Sequence, residues 1–299
     1  MLAAVLKSAD SDPVVEAFAE PVLQPGEVVG TMLAAGLHPV TRGLAKNAHY
    51  STQASYPLIP GVDGVAQLPD GRRVYTGWLR HPYGTFAESA AVNPMSLPIP
   101  DLDPALVAAM VNPAMSSWFA LRLRAQLVAG ETVLILGATG ASGSLAVQVA
   151  KHLGAARVIA VGRSRDKLAR LGVEAFTLED SLAPVIAEVD IVLDYLWGEP
   201  AARVLAALAA SKSQRRVRYV QIGGSAGKDF AFDSAALRAI DLAILGSGIG
   251  SVKPAQIGPE IAQLLPVLPA LSLEIERVPL ARVAEVWTHE GAHRPVITF

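Results

Sequence analysis

From Thr132 to Gly154 an apolar run, a glycine-rich turn and a helical pattern follow one another without interruption. Val133-Leu134-Ile135-Leu136 leads directly into Gly137-Ala138-Thr139-Gly140-Ala141-Ser142-Gly143, after which Leu145, Val149 and Leu153 share one helical face and Gly154 is placed to end it. A buried strand that turns this sharply into a helix begins a βαβ unit, and the bare amides at such a helix start hold the pyrophosphate of a dinucleotide. Side chains larger than hydrogen at the glycines would keep the phosphates away. Gly137, Thr139, Gly140, Ala141, Ser142 and Gly143 are therefore candidate coenzyme residues.

The rest of this region fits the same architecture. Strands are expected at Thr132 to Leu136, Arg157 to Val161, Glu174 to Leu178, Asp190 to Tyr195, Val217 to Ile222 and Leu242 to Leu245, with helical patterns in most of the gaps. Six strands joined by crossover helices imply a doubly wound parallel sheet. The residue that reads the adenine ribose should follow the second strand, and there the chain reads Gly162-Arg163-Ser164-Arg165. No carboxylate stands in that stretch to accept the ribose hydroxyls, whereas two guanidinium groups suit a 2′-phosphate. NADPH is expected over NADH. Asp194 to Gly198 and Ile222-Gly223-Gly224-Ser225 also fall at strand ends, and the second of these is expected to hold the nicotinamide end.

Before residue 115 the character is different. Short β-like runs at Glu27 to Leu33, Gly64 to Leu68, Arg73 to Gly77 and Thr85 to Val92 alternate with Pro, Gly, Asn and Asp, as in a compact irregular β domain. The last stretch, Glu274 to Phe299, returns to short strands and a helix that should rejoin that domain. The expected division is 1–114, 115–250 and 251–299.

Composition narrows the function classes. A net charge of −2 over 299 residues offers no electrostatic case for nucleic acid or an anionic membrane. With 52% hydrophobic and 17% charged residues the chain should fold as a globular protein rather than remain disordered. The apolar segment Ala105 to Leu121 is interrupted by Asn112, Pro113, Ser116 and Ser117, so a soluble protein is expected. The N-terminal apolar run is too short for a signal peptide. No cysteine occurs, which excludes disulfides, thiolate zinc sites and cysteine nucleophiles. A cytoplasmic location is the expectation.

Three motifs that point elsewhere fail on context. Gly223-Gly224-Ser225-Ala226-Gly227 matches a serine-hydrolase elbow, but Lys228 to Asp233 follows where a helix must begin. His289-Glu290-Gly291-Ala292-His293 matches a zinc-protease helix, yet Gly291 and Pro295 oppose that helix and no third ligand follows. None of the six tyrosines has lysine four residues on, which excludes the short-chain dehydrogenase pair.

Several segments resemble the medium-chain dehydrogenase/reductase superfamily, specifically its zinc-free quinone oxidoreductase branch. They are Ile59-Pro60-Gly61-Val62-Asp63-Gly64, Arg73-Val74-Tyr75, Tyr83-Gly84-Thr85-Phe86-Ala87-Glu88, Ser116-Ser117-Trp118-Phe119-Ala120-Leu121 and the stretch from Leu134 to Gly143. The resemblance implies a Rossmann domain inserted into a GroES-like β-rich catalytic domain, with catalysis in the cleft, and a homodimer through the edge strand near Leu242 to Leu245. Val62-Asp63 stands where zinc-dependent members carry His-Glu, so a metal-free reaction is implied. Without a Lewis acid the suitable substrates are quinones, enones and similar electrophiles, whose conjugation delocalises the charge that hydride brings. The family's Asn-x-x-Asp corresponds to His38-Pro39-Val40-Thr41, with Tyr50 farther on, which makes His38 and Tyr50 the catalytic candidates. Ser116 matches a position near the coenzyme. Because His38 and Thr41 replace the family residues, a noncatalytic NADPH-binding sensor is the alternative.

Overall fold

The computed structural model describes residues 1–47, 54–92, 96–99, 101–288 and 293–299. The chain divides into two compact units, Met1–Asn112 with Ile261–Phe299, and Pro113–Glu260.

The first unit opens with an antiparallel pair, β1 (Leu2–Val5) and β2 (Val14–Ala17). β3 (Val28–Gly36), a short helix α1 (Pro39–Ala45), β4 (Asp63–Gln67), β5 (Arg73–Gly77), β6 (Ser89–Val92) and β7 (Leu97–Pro98) follow. The long strand β3 pairs with β4 along one edge and with β6 near its start, and its register slips between Met32 and Ala34. That extra residue bends the strand and turns its later half toward a different neighbour. The core gathers Leu6, Met32, Leu37, Phe86 and Trp287 among its buried side chains.

α2 (Pro104–Phe119) carries the chain into the second unit and continues as a π-helical turn, Ala120–Ala125. Together they are long and apolar enough to span a bilayer, but 72% of the most apolar window is buried within the protein, as in a core helix. The sheet of this unit contains β8 (Thr132–Leu136), β9 (Arg157–Gly162), β10 (Glu174–Thr177), β11 (Ile191–Asp194), β12 (Val217–Gln221) and β13 (Leu242–Gly246). All pairs are parallel and the order is β10-β9-β8-β11-β12-β13. This is the doubly wound arrangement, with its switch point between β8 and β11. β8 is buried at every position, which explains its unbroken apolar sequence. α3 (Ala141–His152), α4 (Arg165–Ala169) and α5 (Gly198–Ser211) supply connections.

One crossover lacks a helix, and one expected strand needs correction. Helices are expected in most of the gaps, and the gap between β10 and β11 is one without an α-helix, holding the 3-10 turn Ile186–Glu188. Pro184 and the short span leave no room for a helix of useful length. The strand expected over Thr85 to Val92 begins only at Ser89, because Phe86 to Glu88 instead meet β1 across an isolated bridge and two backbone hydrogen bonds.

After α6 (Ala236–Ala239) and α7 (Pro254–Leu264), the chain returns to the first unit with β14 (Ile275–Pro279), α8 (Val283–Trp287) and β15 (Arg294–Thr298). β15 pairs with β14 and with the end of β3, so the C-terminal stretch completes the sheet begun by the N-terminal one. The result is a GroES-like β-rich unit interrupted by a Rossmann unit.

Candidate functional site

Each glycine of the loop after β8 has a separate task. Gly137 sits at φ +92°, a left-handed conformation that lets the chain leave the strand, while its amide and that of Ala138 both donate to the Val161 carbonyl. Gly140 caps α3, and a Cβ there would meet nothing closer than the Gly137 oxygen at 3.7 Å. At Gly143, by contrast, a Cβ would lie 2.2 Å from that same oxygen and 2.7 Å from Ala138 Cα. One glycine therefore makes the turn, one keeps the approach open, and one allows the helix to press against the loop.

The open approach leads to a helix start with nothing in the way. No side chain caps α3 and no acidic residue lies in its first turn. The amides of Ala141, Ser142 and Gly143 are among those an α-helix cannot satisfy internally, and the helix dipole adds positive potential. Residues and geometry fit a pyrophosphate. Thr139 is held in place by the second strand: a Cβ on Gly162 would lie 2.8 Å from Thr139 Cγ2. Gly162 thus serves the loop by leaving space for Thr139.

Arg163 and Arg165 are exposed at the end of β9, on either side of Ser164, whose hydroxyl caps α4 by accepting from the Lys167 amide at 3.3 Å. Arg165 forms a 3.1 Å ion pair with Asp180, a carboxylate held below its usual range first by the Thr177 amide and then by Arg165. Sequence reasoning misses Asp180 because it belongs to the turn after the next strand.

Ile222, Gly223 and Ser225 run alongside the segment after β11. The Ile222 and Gly223 amides donate to the Asp194 carbonyl at 2.8 and 3.1 Å, and the Ser225 hydroxyl donates to the Tyr195 carbonyl at 3.1 Å. A Cβ on Gly223 would meet that Tyr195 oxygen at 2.8 Å, and Gly224 lies 3.1 Å by the same measure from the Gly227 carbonyl. Asp194 organises this corner. Its carboxylate accepts the Leu196 and Trp197 amides at 2.8 and 3.0 Å and the Tyr219 hydroxyl at 2.7 Å. Burial nevertheless raises its pKa above the usual carboxylate value. Trp197, at φ +56°, is a non-glycine residue in left-handed backbone, a strain commonly stored at functional loops. Ser116 donates to the Pro113 carbonyl at 2.6 Å and lies 3.1 Å from the Tyr195 hydroxyl.

In the first unit, His38 precedes α1 and is 1% exposed. Its Nε2 lies 3.1 Å from Asp63 Oδ1, and the Tyr75 hydroxyl donates to the other carboxylate oxygen. Burial, followed by the charge of Asp63, pushes the Tyr75 phenol well above its ordinary value. Arg294 stands in the same electrostatic environment: burial and Arg42 lower it to about 10, against the opposing pull of Asp63. Gly36 leaves room for the imidazole, since a Cβ would be 2.3 Å from His38 Nε2. The carboxylate and phenol around His38 escape notice in the sequence because they come from β4 and β5. Tyr50 lies outside the described residues. Among the described residues no group of three or more His, Asp or Glu could hold a metal ion.

No protein-family profile matches the chain. Comparison with solved structures finds the quinone oxidoreductase of Thermus thermophilus, studied also in its complex with NADPH, at 30% identity and a TM-score of 0.84, with 100% of both chains covered. Among curated proteins, the probable NADPH-dependent quinone reductase tdiC of Emericella nidulans is 35% identical over 212 residues, covering 63% of this chain and 59% of that protein. The chloroplastic NADPH-dependent alkenal/one oxidoreductase of Arabidopsis thaliana is 28% identical over 166 residues, covering 50% and 43%. The curated matches thus span about half of those proteins' lengths. Fold and loop together define a protein of the dinucleotide-binding, doubly wound class with a GroES-like β-rich unit. More narrowly, the chain belongs to the quinone oxidoreductase-like branch of the medium-chain dehydrogenase/reductase superfamily.

Proposed function

We propose that this protein is an NADPH-dependent reductase that delivers hydride to a quinone, an enone or a similarly activated carbonyl compound without a catalytic metal. The observation that carries the reading is the open face of Gly140 at an uncapped helix start, with Arg163 and Arg165 at the end of the next strand. NADPH, when bound, supplies the hydride from nicotinamide C4. The amides of Ala141, Ser142 and Gly143 hold its pyrophosphate, Arg163 and Arg165 its 2′-phosphate, and Ile222 to Ser225 border its nicotinamide half.

Hydride addition to a conjugated acceptor leaves an anionic oxygen, which hydrogen-bond donors and one proton can satisfy. His38 is the proposed proton source, with the Asp63 carboxylate 3.1 Å from its Nε2, and Tyr50 is a second candidate. The metal-free reading is supported by the lack of cysteine and by Val62-Asp63 at the position of the zinc-dependent pair. Loss of NADPH absorbance with a panel of quinones, enones and aldehydes is the test. Tight NADPH binding with no turnover on that panel would favour the sensor reading instead, to which the replacement of the family's Asn and Asp by His38 and Thr41 points.

A homodimer through β13 belongs to the same proposal. β13 is an edge strand that pairs only with β12 among the described residues, and Ile244 on it is 39% exposed. An open apolar edge invites pairing with a second copy. Ile244→Lys is expected to convert the dimer to monomer in sedimentation velocity while leaving NADPH affinity unchanged. A wild-type protein that sediments as a monomer at all concentrations would remove the proposal.

A further inference from the structure

Tyr195 is the first residue after β11, at the strand pair where the sheet order turns. Ligands in such sheets occupy the crevice beyond the carboxyl ends of those two strands. The residue meets three segments that border this crevice, two through its side chain and one through its backbone carbonyl. Its hydroxyl lies 3.1 Å from Ser116 Oγ on α2, and a Cβ on Gly137 would lie 3.2 Å from Tyr195 Cβ. Its carbonyl is taken by the Ser225 hydroxyl. Because Ser116 already donates to Pro113, the phenol is the donor in the Ser116 contact.

The direction of the dinucleotide follows from the sheet order. Arg163 and Arg165 follow β9, on one side of β8, whereas β11 lies on the other side. A coenzyme with its 2′-phosphate on the arginines and its pyrophosphate on α3 must therefore extend its nicotinamide half toward β11. We propose that the Tyr195 hydroxyl leaves Ser116 when NADPH binds and donates instead to the nicotinamide half, the carboxamide oxygen being the acceptor of matching chemistry. The inference rests on the coenzyme reading above. Burial pushes the phenol up to about 12, so it remains a donor at any ordinary working pH. Ser116, together with Ser117, then acts as its resting partner in the free protein.

Two ligands separate this contact from a purely structural role. NADPH contains the nicotinamide ring and 2′-phospho-ADP-ribose lacks it, while both carry the pyrophosphate and the 2′-phosphate. Calorimetry on Tyr195→Phe should show NADPH weakened about two- to fivefold, less than the full worth of one neutral hydrogen bond because the Ser116 contact is given up on binding, with 2′-phospho-ADP-ribose unchanged. Ser116→Ala removes one of the two serine contacts that hold the phenol at rest, Ser117 being the other, and should leave NADPH affinity equal or higher. Equal losses for both ligands in Tyr195→Phe, no loss for either, or a loss of NADPH in Ser116→Ala matching that in Tyr195→Phe would overturn the assignment. Wild-type protein that takes up neither ligand would bring down the coenzyme reading itself, and this inference with it.

Discussion

Replacing Arg163 with alanine is expected to weaken NADPH about tenfold or more and to leave NADH unchanged. A charge-assisted contact to phosphate is worth on the order of 1.5 to 3 kcal/mol, and each 1.4 kcal/mol is a factor of about ten. Arg165→Ala should cost less, because Arg165 already shares its guanidinium with Asp180 at 3.1 Å and part of any phosphate contact replaces that pair. Asp180→Asn should move affinity in the opposite direction, since it frees Arg165 and removes a like charge from the neighbourhood of the 2′-phosphate. Fluorescence titration of the three variants with both coenzymes checks the set. Equal losses for NADPH and NADH would show that the arginines support the fold and do not read the phosphate.

The second large effect separates two glycines of one loop. Gly143→Ala places a methyl group 2.2 Å from the Gly137 carbonyl oxygen and 2.7 Å from Ala138 Cα, both backbone atoms that cannot rotate away. Overpacking of this kind costs about 1–3 kcal/mol or more, against about 1 kcal/mol gained from the better helix propensity of alanine. A lower thermal midpoint and loss of NADPH binding should appear together. Gly140→Ala meets nothing closer than 3.7 Å and lies at φ −81°, so it should fold with a midpoint lowered only slightly, by the poorer N-cap preference of alanine. Its methyl group nonetheless stands where the phosphates must approach, and NADPH binding should fall about tenfold or more through the loss of amide contacts. A Gly143→Ala protein as stable as wild type would contradict the close packing of α3 on the loop.

Much of the second unit is legible directly from residue order. β8 matches the expected Thr132 to Leu136, and the other five strands differ at their ends by one residue or, for β11, at both ends. Buried parallel strands announce themselves as short apolar runs, and the glycine loop is local, so neighbouring residues carry the whole signal. The crossover between β10 and β11 lacks an α-helix, since Pro184 and the short span leave it only a 3-10 turn.

The first unit is less legible. β1 and β2 are four residues each and α1 is seven, too short for periodicity to stand above chance. Its polar cluster illustrates the limit better than the strands do. His38 is visible as a candidate on α1's threshold, but Asp63 comes from β4 and Tyr75 from β5, and only the pairing Asp63↔Gly77 and Val65↔Tyr75 brings their side chains to one buried place.

Residue order alone settled the glycine turn, its helix, the run of six strands and the arginines after the second, because each depends on the chemistry of adjacent positions. Folding in three dimensions decided that Asp180 would hold Arg165, that Tyr195 would lie against Ser116, and that His38 would be enclosed with Asp63. Those partners are separated by 15, 79 and 25 positions along the chain. Strand register and helix packing set such meetings, and no pattern of neighbouring residues encodes them.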